Sequence, residues 1–498
     1  MKRVLIANRG EIAVRIATAC REAGLESVAV YSDADIDSLH VRVADRAVRI
    51  GPAAPAESYL SPAALVAAAQ SVEADAIHPG YGFLSERPEL PRACEAAGII
   101  FVGPPADVME RMGSKIDARA LMQAAGVPIV PGETPRDQSD QSVLAAARAL
   151  GYPVLVKASA GGGGKGMRTV SADRDAPEAI AAARREATAA FGDGTLYVER
   201  LIHRPRHVEI QVFADTHGNV VHLFERECSV QRRHQKVIEE SPSLAISPKL
   251  RRRMGEAAVA AARAVRYRNA GTIEFLVEGE GESASFFFLE MNTRLQVEHP
   301  VTEAVTGVDL VRAQLAVAAG ARLPWTEDAL SQRGHAIECR IYAEDPAHQF
   351  LPQAGPVLLY REPSGPGVRV DSGVSEGDEV GVNYDPLLAK LIASAETREA
   401  ARVRAVAALR SYPILGIRTN IPFLLRLLEL PAFRNGQLHT GLIDEHWSTL
   451  VPDVATQAVP GEALAAAAFA TSAPAGRGNS DRTDAVADPW ATLGRWGR

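Results

Sequence analysis

Cysteine is scarce in this chain, four among 498 residues. Cys20, Cys94, Cys228 and Cys339 stand far apart without a CxxC pair, which argues against a structural zinc site or a disulfide framework and fits a reducing compartment. An excess of positive charge is also lacking. The formal net charge is −7 and the pI about 6.0, which speaks against a general binder of nucleic acid or membrane surfaces. Arg204-Pro205-Arg206 and Arg232-Arg233 stay open as local anion sites. No apolar run approaches membrane-spanning length, and Val4–Ala7 enters an apolar strand at once without a signal or transit segment, so the expected location is cytoplasmic. What the chain does have is core material: 47% hydrophobic residues, in a length that suits about three domains.

Residues 1–113 alternate strand-like apolar runs with alanine-rich helical ones, the pattern of an open, mostly parallel sheet flanked by helices. Asn8-Arg9-Gly10 follows the first strand where a nucleotide fold places phosphate, but the repeated glycines of a dinucleotide fingerprint are missing, so the domain is expected to be Rossmann-like in shape only. The turn-rich stretch His78–Glu86 reads either as a substrate-facing loop or as a tight connection. A helix over Lys115–Ala125, then Gly126, Pro128 and Pro131, marks a boundary. Beyond it, two apolar strands flank Gly161–Gly166. A Rossmann fingerprint would need a helix after these glycines, and a Walker A loop would need Ser or Thr after Gly164-Lys165. Strand, glycines, strand suits a flap that closes over nucleotide phosphates, with Lys157 and Lys165 adding charge; a plain linker is the alternative. If adenine binds at the exit of the flap, backbone groups around Glu199, Arg200, Leu201 and Ile202 would read its edge.

His207–Phe213 alternates as a strand with one buried face. Glu225–Lys236 is either a basic surface loop or a phosphate and oxyanion cradle, and its cations are expected to lower the pKa of Cys228 if that thiol is reactive rather than structural. Gly271–Val277 and Phe286–Glu290 read as a hairpin that brings Glu274 and Glu290 together, where only a cation would relieve their repulsion. Glu290, Asn292, Arg294, Gln296 and Glu298 then recur every second residue, which in extended backbone places all five on one face. Carboxylate and amide oxygens there suit Mg²⁺ or Mn²⁺ bridging phosphates, Arg294 suits a planar oxyanion, and Glu298 suits a base; a solvated edge strand is the bland alternative. After about residue 450 the composition shifts to Ala, Gly, Ser, Pro and Asp, a linker or tail with one helix-like run, Ala463–Ala470, and a terminal Asp488-Pro489-Trp490 to Trp496 segment that suggests docking to a partner.

These blocks, in this order, resemble biotin carboxylase, the ATP-grasp component of biotin-dependent carboxylases, over residues 2–447: Ile6–Ile12, His78–Glu86, Gly161–Gly166, Gln231–Lys236 and Glu290–Pro300. The resemblance implies an α/β and α+β multidomain fold. Its parts would be a Rossmann-like N-terminal domain (1–113), a helical linker (114–130), an ATP-grasp lid (131–203), an ATP-grasp body with the C-terminal biotin carboxylase domain (204–447), and a low-complexity tail (448–498). It further implies ATP contacts at Lys115, Lys157, Glu199, His207, Gln231 and His234, with Gly163 and Gly164 in the closing loop. Glu274, Glu290 and Asn292 would hold two Mg²⁺ or Mn²⁺ ions; Lys236, Arg294, Gln296 and the backbone of Val297 would hold bicarbonate; Glu298 would be the base and Arg340 would steady the biotin enolate. Asn383–Lys390 and Asp488–Trp490 look more like the α chains of propionyl- or methylcrotonyl-type acyl-CoA carboxylases than like free-standing subunits. No Met-Lys-Met biotinylation motif occurs, so biotin is expected on a separate carrier protein, or the product has been split or shortened. A carboxyltransferase subunit and a homodimer are the further partners implied. Another bicarbonate-activating ligase of the carbamoyl-phosphate type, or a non-catalytic scaffold subunit, are the alternatives.

Overall fold

A computed structural model describes residues 1–159, 166–452 and 461. The chain divides into a unit of Met1–Val451 and a unit of Pro452–Arg498. The glycines and lysine at 160–165, the run Ala463–Ala470 and the segment Asp488–Trp496 lie outside the described residues.

Five short strands, β1 (Arg3–Ile6), β2 (Glu26–Ser32), β3 (Arg46–Gly51), β4 (Ala76–His78) and β5 (Ile100–Phe101), form a parallel sheet in the order β3-β2-β1-β4-β5. β1 and β4 are buried on both faces, as strands covered by helices on each side must be. Sequence reading passes over β3 because it is an edge strand: Arg46 and Arg49 leave it without an apolar run.

A second, antiparallel sheet in the order β6-β9-β7-β8 contains β6 (Gly132–Glu133), β7 (Val154–Ala158), β8 (Met167–Val170) and β9 (Leu196–Arg200). The alanine-rich helices Asp140–Leu150 and Ala176–Phe191 cover it, and Val143, Ala147, Val154, Val156, Ile180 and Val198 close a core of its own.

Eight antiparallel strands make the largest sheet. Six are β10 (Arg206–Ala214), β11 (Val220–Arg232), β12 (Gln235–Ser241), β13 (Asn269–Glu278), β14 (Ser285–Asn292) and β15 (His335–Tyr342); Leu387–Ala395 and Val368–Ser372 complete it beyond β15. β10 departs from the expected strand with one wet face, because every residue from Arg206 to Ala214 is buried. Its polar face, His207, Glu209 and Gln211, lies inside the protein, so these groups need partners rather than water. The stretch Glu225–Lys236 is not a surface loop but the β11–β12 hairpin, turned at Arg233 and His234 with φ of 49° and 66°. Positive φ at both central residues matches the right-handed twist of the flanking strands.

Candidate active site

β13 and β14 pair with Glu274 opposite Glu290 and Thr272 opposite Asn292, the hairpin foreseen in the sequence, with an irregularity where Leu289 is the extra residue. The alternation expected through Glu298 stops at Asn292, where the strand ends. Residues 293–298 form a loop instead, and Glu298 opens the helix His299–Thr306, with Pro300 in its first turn and Gly307 at φ 72° closing it. Tertiary packing overrides the extended pattern: Leu295, fully buried in one core with Ile6, Ile12 and Phe213, ties the loop down from beneath.

The polar side chains of this loop still converge. Arg294 donates to Gln296 Oε1 at 2.9 Å and to Asn292 Oδ1 at 3.2 Å, and its Nε lies 2.9 Å from Glu86 Oε2. Glu86 also accepts from the Thr293 N–H, which makes His78–Glu86 a wall of the site rather than a mere connection. Asn292 and Gln296 both donate to Glu274 Oε1, at 2.7 and 3.3 Å. From β12, Lys236 Nζ reaches Glu209 at 2.6 Å, Glu274 at 3.0 Å and Glu298 at 2.6 Å. Arg340 on β15 donates to Glu298 Oε2 at 2.9 Å and to Glu239 Oε1 at 2.6 Å. Lys390, fully buried, donates to the Val297 carbonyl at 2.9 Å and lies 3.2 Å from Glu11, so it pins the loop from the next strand. Glu86, Glu209, Glu239 and Lys390 carried no role in the sequence reading; only proximity assigns them one.

The electrostatics follow from burial. Desolvation alone would raise the carboxyl of Glu298, but Lys236, Arg340 and Arg226 hold it well below the ordinary range. Glu274 is likewise pulled down against its burial, by Lys236 and His207. Glu290 moves the other way: burial and the neighbouring Glu274 charge raise it, with Lys115 opposing. Two register-paired acids split in this manner fit a divalent cation, because one carboxylate at present holds its charge at the expense of the other. Oxygen donors from Glu274, Glu290 and Asn292 suit Mg²⁺ or Mn²⁺. Of the two readings of Cys228, the structural one holds. Burial pushes its thiol well above the usual range despite Lys236 nearby, and the sulfur lies 3.8 Å from Glu298, so no thiolate is favoured.

At the other end, Glu199 is paired with Lys157 and, at 3.1 Å, with Arg119, a cation the sequence reading missed. The N–H groups of Arg200 and Leu201 donate to the Pro131 and Pro153 carbonyls, while the Arg200 side chain turns away to Glu278 at 2.8 Å; Ile202 is buried just beyond. Lys115 is half-buried and close enough to Glu290 to feel its charge. His207 Nε2 is 3.0 Å from Glu274, which raises its pKa against burial. Gln231 and Lys236 are register partners in the hairpin, and His234 sits exposed at its tip. Gly163 and Gly164 lie outside the described residues.

Three family models match the chain: the N-terminal domain of biotin carboxylase over residues 1–109, the ATP-binding domain of the carbamoyl-phosphate synthase L chain over 114–326, and the biotin carboxylase C-terminal domain over 338–445. A biotin carboxylase of Halalkalibacterium halodurans is 52% identical over 445 residues, covering 89% of this chain and 98% of that protein. The mitochondrial methylcrotonoyl-CoA carboxylase subunit alpha of Mus musculus is 50% identical over 455 residues, 91% of this chain, and the chain spans 63% of that relative's length. Among solved structures, the biotin carboxylase domain dimer of Hydrogenobacter thermophilus 2-oxoglutarate carboxylase, in complex with MgADP, ADP and bicarbonate, is 44% identical with a TM-score of 0.86, covering 90% of this chain and 98% of that one. Near-complete coverage of a biotin carboxylase at this identity, with a site whose acids, amides and cations converge on one buried carboxylate, leads to one conclusion: the chain belongs to the biotin carboxylase family.

Proposed function

We propose that this chain catalyses the ATP-dependent carboxylation of biotin by bicarbonate through carboxyphosphate, as the first half-reaction of an acyl-CoA carboxylase. The observation that carries the proposal is Glu298, a fully buried carboxylate with Lys236 on one oxygen and Arg340 on the other. So paired, Glu298 is ionised at neutral pH but a weak base. A bicarbonate drawn to Lys236, Arg294, Gln296 and the Val297 backbone competes for the same cations, and the proton affinity of Glu298 rises as they turn to the substrate. Glu298 then takes the bicarbonate proton, and the freed oxygen attacks the γ-phosphorus of ATP to give carboxyphosphate and ADP. Carboxyphosphate breaks down to CO2 and phosphate; the phosphate takes the ureido proton of biotin, and the resulting enolate, steadied by Arg340, attacks CO2.

ATP is placed by Lys115, Lys157, Gly163, Gly164, Glu199, His207, Gln231 and His234, with backbone groups of Arg200, Leu201 and Ile202 at the adenine. Mg²⁺ or Mn²⁺ held by Glu274, Glu290 and Asn292 would supply charge neutralisation of the transferring phosphoryl group. The lid of this reading spans 131–203, between the N-terminal domain (1–113) with its linker (114–130) and the body (204–447). The partners are a biotin carboxyl carrier protein, a carboxyltransferase subunit and a second copy of the chain in a homodimer.

Release of ADP with Mg²⁺, ATP and bicarbonate, measured with and without free biotin, tests the proposal. Biotin-stimulated cleavage that falls by at least about 10²-fold in Glu298→Gln is the expected outcome; cleavage indifferent to biotin overturns it. The match of residues 114–326 to the carbamoyl-phosphate synthase model favours one second reading, a ligase that carboxylates an amine. Stimulation by ammonia rather than by biotin would mark that reading.

A further inference from the structure

Below the substrate-facing groups lies an arginine that the reaction above does not use. Arg226 on β11 is fully buried, and its guanidinium donates four hydrogen bonds, all to side chains: Glu209 Oε1 at 2.5 Å, Gln211 Oε1 at 2.8 Å, Thr302 Oγ1 at 2.9 Å and Thr272 Oγ1 at 3.0 Å. These acceptors come from β10, from β13 and from the helix His299–Thr306. Glu209, the cross-strand partner of Arg226, is thereby held between two cations, with Arg226 on Oε1 and Lys236 on Oε2 at 2.6 Å. Thr302 sits one turn into the helix that Glu298 opens. A single planar group thus fixes both partners of the 2.6 Å contact between Lys236 and Glu298: the lysine through Glu209, the glutamate through its helix.

Burying a charge this completely is costly, and well-packed apolar residues at such a place are often as stable or more so. Stability alone therefore gives no reason for a forked cation here. Geometry does, since a lysine at the same position has one ammonium and cannot meet Glu209 and Thr302 with the spread of a guanidinium.

We infer that Arg226 is a positioning residue, which sets the distance and direction between Lys236 and Glu298 without touching substrate. The inference rests on the reading of Lys236 and Glu298 as the groups that handle bicarbonate. Because Arg226 is also one of three cations that keep Glu298 ionised, its loss has a signature beyond a lower rate.

The test uses the full chain as wild type, Arg226→Lys and Arg226→Met, with the KM of ATP and kcat/KM of bicarbonate measured across pH and thermal unfolding run alongside. In Arg226→Lys the expected result is a folded protein with ATP KM unchanged and bicarbonate kcat/KM lowered by about 10²-fold, the scale of an ångström-level misplacement. In Arg226→Met the acid limb of the bicarbonate profile moves to higher pH, as Glu298 loses a cation and protonates earlier. Should Arg226→Met fail to fold, Arg226→Lys decides alone. Bicarbonate kcat/KM at the wild-type value in Arg226→Lys, or losses for ATP and bicarbonate in equal measure, overturns the inference and leaves the proposed function standing. A wild-type chain without biotin-stimulated cleavage removes the proposed function, and the inference with it.

Discussion

Lys236 illustrates how far a single residue is determined by what surrounds it. Burial works against its ammonium, yet the carboxylates of Glu209, Glu274 and Glu298 hold its proton well above the usual lysine range. Lys236→Met would leave three buried acids short of a cation, and a loss of about 3–5 kcal/mol at pH 7 is expected, the usual cost of breaking a buried pair. The loss shrinks on acidification because the orphaned carboxyls take up protons; urea unfolding at pH 7 and pH 5 checks it. In the intact protein Glu274 and Glu298 lie below their unfolded values, so the stability they add is present above the unfolded carboxyl pKa and is lost as pH falls through the folded ones. Glu338 behaves oppositely. Neither of its oxygens has a hydrogen-bond partner, and burial raises its pKa well above the usual value. Stability linked to Glu338 is therefore full below its unfolded pKa and declines as pH rises through the folded one. Glu338→Gln, an isostere of the neutral acid, is expected to unfold like wild type at pH 4, below the unfolded carboxyl pKa, and at a higher temperature than wild type at pH 7, where the unfolded glutamate is ionised.

Among the elements, the β11–β12 hairpin shows a cost accepted in the backbone. Arg233 and His234 both lie in the left-handed region, where Asn and Gly are at ease and a longer side chain is strained. Arg233→Asn is expected to stabilise the fold by about 0.5–1 kcal/mol, a part of the penalty for a left-handed L-residue, with ATP cleavage unaltered. A fall in Tm would show instead that the arginine makes a contact that outweighs the strain. The β13–β14 hairpin was legible in advance because two apolar runs flank a polar turn and each carries an acid. The loop 293–298 was not. Its alternating polar pattern matches a strand, and only the burial of Leu295 and the helix beginning after Glu298 show that the chain leaves the sheet there. β10 misled for a related reason: alternation distinguishes two faces but does not say that the polar one is wet.

At the scale of the whole molecule, groups from the helix and turn beside the N-terminal sheet and from the strand next to the edge of the eight-stranded sheet meet at one loop: Glu86 reaches Arg294, and Lys390, paired with Glu11, holds Val297. A ligand that binds between such parts stabilises the fold by mass action, about 2.7 kcal/mol at a hundredfold excess over its dissociation constant. MgADP is therefore expected to raise Tm more than ADP alone, and Glu290→Gln should abolish that difference while leaving the effect of ADP; equal shifts in the variant and wild type would remove Glu290 from the metal site. Light scattering in solution that gives twice the chain mass would support the homodimer. Among the described residues no helix is long and apolar enough to cross a membrane.

The sequence by itself determined the class of fold and the kinds of chemical groups available. Strand and helix periods, glycines between strands and the run Glu290–Glu298 are local properties, and local properties are written in neighbouring residues. What only the tertiary structure decided is which of those groups stand together. Lys236, Glu209, Arg340 and Arg226 come from strands separated by turns and crossings, so their distances depend on register and on the packing of distant apolar residues. A carboxylate becomes a poised base, and an arginine its support, only when burial removes water and leaves each charge with the few partners the fold brings within reach.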